Sequence, residues 1–355
     1  MKTKRLVISI FVCLLLSACF RQPQPVSDGS LMNSNIPWPT HGWHFTKLAD
    51  QGLDPDYFQQ MQAFIEQSQL DLHSLLVVRH GYLVFEQYGA DFNANKTHNQ
   101  YSVTKSVVSA MVGIAIDQGY IPGVEEPVLK LLPDRTVNNV DRHKPAITLE
   151  NVLTMTSGID WQEGDPAFNA LYNSPDWVQF MLEMPMAAEP GSRFLYCSGC
   201  SHLLTGILAE TTGQIVAKFA EDNLFQPLGI TNYAWDTGSQ QIPVGGWGLH
   251  LTPRDMAKIG YLYLMRGQWA GNQIVSADWI DQSTRLQIET GGNLGYGYQW
   301  WIYPRYDAYT ALGRYGQTIF VIPQADMVIV ATAQMDNHDG IFDLIDRFIV
   351  PSILD

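Results

Sequence analysis

Charge is scarce in this chain. Only 16% of its 355 residues are Asp, Glu, Lys or Arg, against roughly a quarter in ordinary soluble domains. What charge there is leans acidic: 21 Lys plus Arg face 35 Asp plus Glu, a net −14. No basic run follows Arg5, and a surface of that sign repels phosphate backbones, so nucleic acid is not an expected partner. The nine histidines show no His-Glu-x-x-His or comparable spacing, so neither a catalytic metal nor any other cofactor is expected. No Gly-x-Ser-x-Gly pentapeptide occurs, which removes hydrolases of the nucleophile-elbow type. No internal repeat is visible, and no apolar stretch after the N-terminal one is long enough to span a bilayer. Hydrophobic residues, by contrast, make up 46% of the chain, which excludes global disorder and supplies a sizeable core.

The N-terminus reads as an address. Lys2, Lys4 and Arg5 precede an apolar run from Leu6 to Leu16, too short for a mature transmembrane helix. The run ends in Leu16-Ser17-Ala18-Cys19, which resembles a bacterial lipoprotein box. That resemblance implies cleavage after residue 18, lipidation of Cys19 and an envelope location, and Phe20 in place of Asp points to the outer membrane, facing the periplasm. An ordinary secretory signal cut near Ala18 is the plainer alternative. Residues 19–37, polar and carrying several Pro, Ser and Asn, read as a flexible tether. Residues 38–355 then form the functional domain.

With Cys13 removed and Cys19 lipidated, Cys197 and Cys200 remain. A Cys-x-x-Cys pair outside the cytoplasm can be a structural disulfide, two inert thiols or a redox centre. The redox reading wants a thioredoxin-like context that Leu195 to His202 does not supply.

Periodicity predicts an α/β (α+β) fold. Asp54-Pro55 starts a helix with Tyr57, Met61, Phe64 and Ile65 as its stripe. Leu75–Val78 and Tyr82–Phe85 read as strands joined by a hairpin at Arg79-His80-Gly81. An apolar helix follows from about Ser102 to Gly119, and a region rich in Pro, Asp and Gly with helical patches occupies about 120–245. Ile319–Ile322 and Met327–Ala333 read as strands, and Gly340–Ile349 as a last helix. The expected architecture is an antiparallel sheet built from both termini, flanked by helices, with a mainly helical insertion.

The chemistry starts where the long helix starts. Ser102-Val103-Thr104-Lys105 is a Ser-x-x-Lys motif, and three residues is nearly one turn, so amine and hydroxyl share a face. A serine needs a base before it is a useful nucleophile. A lysine serves if burial lowers its pKa, and Val107, Val108, Met111 and Ile114 make the helix apolar enough to bury it. Alone the motif is weak, because Ser-x-x-Lys on exposed helices is common.

It is followed in order by Leu153-Thr154-Met155-Thr156-Ser157-Gly158, then by Pro190-Gly191-Ser192-Arg193-Phe194-Leu195-Tyr196-Cys197-Ser198. Next come Gly245-Gly246-Trp247-Gly248-Leu249-His250-Leu251-Thr252-Pro253-Arg254-Asp255-Met256 and Tyr296-Gly297-Tyr298-Gln299-Trp300-Trp301. This series resembles the serine β-lactamase-like family, which holds class C β-lactamases, related penicillin-binding proteins and their esterase and amidase relatives. The resemblance runs from about residue 40 to the end. It implies that Ser102 is acylated, that Lys105 activates it, and that Tyr196 shuttles the proton. Ser198 stands where the family's Tyr-x-Asn motif has Asn. Ala311-Leu312-Gly313 stands where the last motif, Lys-Thr-Gly or His-x-Gly, would be, so Gly313 is kept for close approach to substrate while the cation is lost. The oxyanion hole would be the backbone N–H groups of Ser102 and Arg314. Ala-x-Gly before Arg314-Tyr315-Gly316-Gln317 looks like the branch of nylon-oligomer (6-aminohexanoate-dimer) hydrolases and carboxylesterases. A D-Ala-D-Ala-type carboxypeptidase or weak β-lactamase is the alternative activity, and a lipid-anchored binding protein without turnover is a third reading. Tyr172, in the Trp161–Asp176 segment, and Trp177 just beyond it are candidates for lining a small-molecule or peptide pocket, or else they are core. Thr156-Ser157-Gly158 is expected to be a turn, and His202 and His250 packing or hydrogen-bonding residues. Spacing says nothing of oligomeric state.

Overall fold

The computed structural model describes residues 37–354. The signal-like segment, Cys19 and all but the last residue of the tether lie outside the described residues. Eight strands carry the architecture: β1 (Leu72–Arg79), β2 (Tyr82–Tyr88), β3 (Ile288–Glu289), β4 (Gly295–Tyr296), β5 (Trp301–Tyr303), β6 (Ala308–Gly313), β7 (Gln317–Ile322) and β8 (Met327–Ala333). Among the described residues they form one antiparallel sheet in the order β2-β1-β8-β7-β6-β5-β4-β3. The N-terminal hairpin therefore pairs directly with the last strand, Val77 opposite Ile329, and both ends of the chain build one sheet. The hairpin turns at His80 and Gly81, both left-handed at φ 51° and 81°, the backbone twist that suits two-residue hairpins.

The central strands read as unbroken apolar runs because both faces are covered. Leu76, Val78, Val328 and Val330 face the larger core, shared with the helical region. Their alternates Leu75, Val77, Ile329 and Ala331 face a second core beneath the terminal helices. Period-two alternation sends each neighbour to the opposite side, and each of the buried Leu, Val and Ile side chains contributes about 1.5–3 kcal/mol. On the larger side the Pro253–Leu264 helix lies close to the sheet. A Cβ at Gly260 would come within 2.5 Å of Val328, so the glycine sets that spacing.

On the other face sit Pro55–Gln67 and the final helical turns Asp339–Leu344 and Ile345–Ile349. The first begins as expected, with the Asp54 side chain accepting from Asp56 N–H. Its buried residues are Phe58, Met61 and Ile65; Phe58 replaces Tyr57 in the expected stripe because its ring packs on Phe85, 5.1 Å between centroids.

Between β2 and β3 the main sheet is interrupted from residue 89 to 287. The interruption is mainly helical, wider than 120–245, and includes the Val103–Asp117 helix. Every residue of that helix from Val103 to Ala115 is buried, so it runs as a rod through the larger core. Ser102 lies at its N-cap position, one residue before the helix proper.

Candidate active site

Tyr101, immediately before Ser102, is left-handed at φ 46°, a conformation a bulky residue adopts only when its surroundings impose it. Two bonds impose it: Asn99 Oδ1 accepts from Tyr101 N–H at 2.8 Å, and Leu249 O accepts from Gln100 N–H at 2.7 Å. The chain is thereby turned so that Ser102 opens the helix, where the first N–H groups have no intrahelical acceptor. One turn on, Lys105 is 1% exposed. Its Nζ lies 2.9 Å from Ser102 Oγ, 3.0 Å from Ser198 Oγ and 2.7 Å from the Gly246 carbonyl.

These three contacts decide what the amine can do. Burial pulls the Lys105 pKa down from 10.5 to about 7, with Glu163 acting in the opposite direction. Near neutral pH a large fraction is uncharged, with two N–H bonds and one lone pair. The Gly246 carbonyl can only accept a hydrogen bond and Ser198 Oγ readily accepts the other, which leaves the lone pair of the neutral amine for Ser102 Oγ. The geometry is that of a serine beside its own base.

Gly245 and Gly246 make this possible. A Cβ on Gly245 would lie 2.1 Å from Ser201 O, and one on Gly246 would lie 2.5 Å from Ser198 O. Only glycine lets this loop lie flat on the start of the Ser198–Thr212 helix and bring its carbonyl to the amine. That helix carries Ser198 as its first residue, with Tyr196 two residues earlier. Burial raises the Tyr196 phenol well above 10, its hydrogen bond with the Ser102 side chain opposes that, and Glu163 adds to it. The phenol therefore keeps its proton. Its ring stacks on Trp301 at 5.7 Å and lies 4.9 Å from Lys105 Nζ. Cys197 and Cys200 form a disulfide at this helix start, so the pairing left open by spacing is settled as a bridge around Ser198.

Gln299 is a hub that spacing did not single out as such. Its carbonyl accepts from Ser106 Oγ at 2.6 Å, its Oε1 accepts from Ser201 Oγ at 2.8 Å, and its Nε2 donates to Leu153 O at 2.8 Å. It ties three helices together beneath the site.

Above Ser102 opens a cavity of about 330 Å³, large enough for a small substrate. Ser102, Ser198, Tyr172 and Arg314 line it, together with Tyr101, Glu163, Asp165, Phe168, Asn169, Gly246 and Trp247. Two expectations need correction. Trp177 is not among the lining residues: it is 7% exposed and packs behind Tyr172 and Trp247, 5.3 and 6.1 Å between rings. Gly313 does not line the cavity either. A Cβ there would meet Gln100 O at 2.2 Å, so this glycine lets β6 approach the turn that presents Ser102 rather than the substrate itself. Ala311, at the position where the family's cation would stand, is buried in the core at 1% exposure. Among the residues that line the cavity, Arg314 is the basic one. Its guanidinium rests 4.7 Å from the ring centre of Tyr315, itself left-handed at φ 66°. Glu163, Phe168 and Trp247 were missed because nothing in their spacing distinguishes them from surface or core; the Gly-Gly-Trp-Gly run was the available signal for Trp247.

The remaining candidates are structural. His202 is buried, its pKa lowered to about 4 by burial, and its Nδ1 accepts from Gly245 N–H at 3.4 Å. His250 pairs with Asp236 at 3.5 Å. Gly158 closes its turn at φ 76° against Ala188 O. No group of three His, Cys, Asp or Glu side chains among the described residues is placed to hold a metal.

Comparison with known proteins places the chain among hydrolases. The chain is 26% identical over 293 residues to the 6-aminohexanoate-dimer hydrolase of Paenarthrobacter ureafaciens, covering 75% of this chain and 73% of that one. It is 24% identical over 176 residues to Esterase EstB of Burkholderia gladioli, 44% of each chain. In structure it matches EstCE1, a hydrolase with promiscuous acyltransferase activity, with a TM-score of 0.72 at 19% identity over 85% of this chain and all of that one (100%). The family profile described as Beta-lactamase matches residues 58–349, and the chain belongs to that family of serine hydrolases.

Proposed function

We propose that the chain cleaves small esters or amides through an acyl-enzyme on Ser102. The observation that supports this most is the buried Lys105 Nζ, 2.9 Å from Ser102 Oγ, 3.0 Å from Ser198 Oγ and 2.7 Å from Gly246 O. Lys105 removes the Ser102 proton as Oγ adds to the carbonyl carbon. The tetrahedral oxyanion is received by the backbone N–H groups of Ser102 and Arg314, where loss of one donor typically costs about 3 kcal/mol. Tyr196, which keeps its proton, donates it to the leaving alcohol or amine and is reprotonated from the Lys105 ammonium. Water then attacks the acyl carbon by the reverse relay and frees Ser102. The relatives' names, a dimer hydrolase and an esterase, point to the same bond types.

Arg314 favours a second reading. Arg314 is among the lining residues, and a guanidinium there could pair with a substrate carboxylate, as a carboxypeptidase or weak β-lactamase requires. A fluorophosphonate probe, followed by a panel of short-chain esters, linear amides and a cephalosporin, tests both. Covalent labelling and ester or amide turnover are expected; preference for the cephalosporin would favour the second reading. The envelope location is likewise our reading of Leu16-Ser17-Ala18-Cys19. A palmitate analogue should label the wild type and not Cys19→Ala. A soluble, unlabelled periplasmic wild type would leave only a secretory signal.

A further inference from the structure

Glu163 lines the same cavity as Ser102 and Ser198. Its Oε1 accepts two hydrogen bonds at once, from Ser198 N–H at 2.6 Å and from the Trp161 indole N–H at 2.7 Å. Ser198 is the first residue of the Ser198–Thr212 helix, so the first bond places a negative charge on a helix N-terminus, where it is stabilising. The second ties that charge to a buried ring. Trp161 is 4% exposed and packs so closely on the same helix that a Cβ at Gly199 would lie 2.9 Å from it. A carboxylate whose outer edge is open to solvent is thus held from both sides.

We propose that Glu163 is a positioning residue for the Ser102–Lys105 pair: its oxygen fixes Ser198, on which the amine hangs, and its charge acts on that amine across the cavity floor. The proposal rests on reading Ser102 as nucleophile and Lys105 as base. Two effects follow from one side chain. The first is geometric, because Ser198 Oγ occupies one of the two N–H bonds that aim the lone pair at Ser102. The second is electrostatic. Burial favours the neutral amine, and Glu163 opposes it. The other groups facing the amine are the Ser102 and Ser198 hydroxyls, the Gly246 carbonyl and the Tyr196 ring. Asp165 and Arg314, of opposite sign, share the cavity with Glu163.

Two substitutions separate the effects. Glu163→Gln keeps an oxygen able to accept both bonds and removes the charge; Glu163→Ala removes both. The experiment measures kcat and KM of the full chain on a neutral p-nitrophenyl ester, from about pH 5 to about pH 9, with fluorophosphonate labelling alongside. For Glu163→Gln the acid limb should move to lower pH. At about pH 5.5 its activity relative to its own plateau should rise ~3- to 10-fold over the wild type, and its plateau kcat should stay within about threefold, a coupling of up to roughly one pK unit. Glu163→Ala should show the same shift with a plateau kcat lower by about tenfold or more and KM little changed. If the alanine variant fails to fold, the glutamine variant decides alone. A Glu163→Gln profile that superimposes on the wild type overturns the proposal. Labelling of Ser102→Ala would overturn the reading beneath it. Silent Ser102→Ala with an unmoved Glu163→Gln profile would remove the Glu163 role and leave the serine mechanism standing.

Discussion

The floor and the wall of the cavity are built by different physics. On the floor, Lys105 is 1% exposed and held by three contacts between 2.7 and 3.0 Å. On the wall, Tyr172 is 52% exposed and meets Phe168, Trp177 and Trp247 through rings 5.3 to 6.2 Å apart. Hydrogen bonds are directional, and an unmet one in a buried site costs about 1–3 kcal/mol; ring contacts tolerate many geometries at about 0.5–1.5 kcal/mol each. On the proposed mechanism, the floor admits one arrangement and carries the reaction, the wall can be reshaped without dismantling it, and substrate choice belongs to the wall.

The comparison is broken most severely at the floor. Ser102→Ala should abolish probe labelling and ester turnover, and residual labelling at the wild-type rate would show that the nucleophile lies elsewhere. Lys105→Ala should fold, by circular dichroism, yet lose ~10²-fold or more in kcat/KM, the usual consequence of removing a placed base.

Effects at the wall should be smaller and selective. Arg314→Ala keeps its backbone N–H and removes the guanidinium. It should lower kcat/KM for a substrate bearing a carboxylate by about tenfold, the scale of one charge-assisted contact, and leave a neutral ester nearly unchanged. Equal loss on both substrates would place Arg314 in the chemistry rather than in selection. Tyr172→Ala should raise KM by ~3- to 10-fold with kcat held, as for uniform binding through an aromatic face. A large fall in kcat would mean that the wall shapes the transition state too.

The disulfide sharpens the floor's half of the contrast. It closes a loop of sequence separation 3, so its stabilisation through loop entropy is modest, about 2 kcal/mol. Cys197→Ser with Cys200→Ser should lower the denaturation midpoint accordingly. A loss far above this would mean that the bridge holds more of the fold than its own helix start.

The same division explains what could be read from the amino-acid order. Ser102 and Lys105 share one helical turn, so their proximity follows from helix geometry alone. The β1–β2 hairpin and β7–β8 are legible for a similar reason: they are apolar runs separated by short turns, and alternation then sends Leu75 and Leu76 to different cores. The Gly246 carbonyl, Glu163 and Gln299 reach the site from 141, 58 and 197 residues beyond Lys105 or Ser102 in the chain, and backbone acceptors carry no side-chain signature. Trp177 looked like a pocket residue because an aromatic beside a loop can face either way, and only the position of Trp247 in front of it shows which. Gly313 was expected to let the strand approach substrate, but the group that a Cβ there would meet is Gln100 O. The position that holds the family's cation contributes core here, while Arg314 brings a charge from three residues further on.

The central claim is that an uncharged Lys105 is the base for Ser102. It is tested most directly by the second-order rate of fluorophosphonate labelling as a function of pH, because this probe reports Ser102 nucleophilicity without a titrating substrate. The lysine pKa lowered to about 7 by burial predicts a rate that rises through one ionisation near neutrality and then levels off, and a Lys105→Ala variant that lacks this rise. A wild-type rate that is flat across the neutral range, or that climbs only where an ordinary lysine near 10.5 loses its proton, would contradict it.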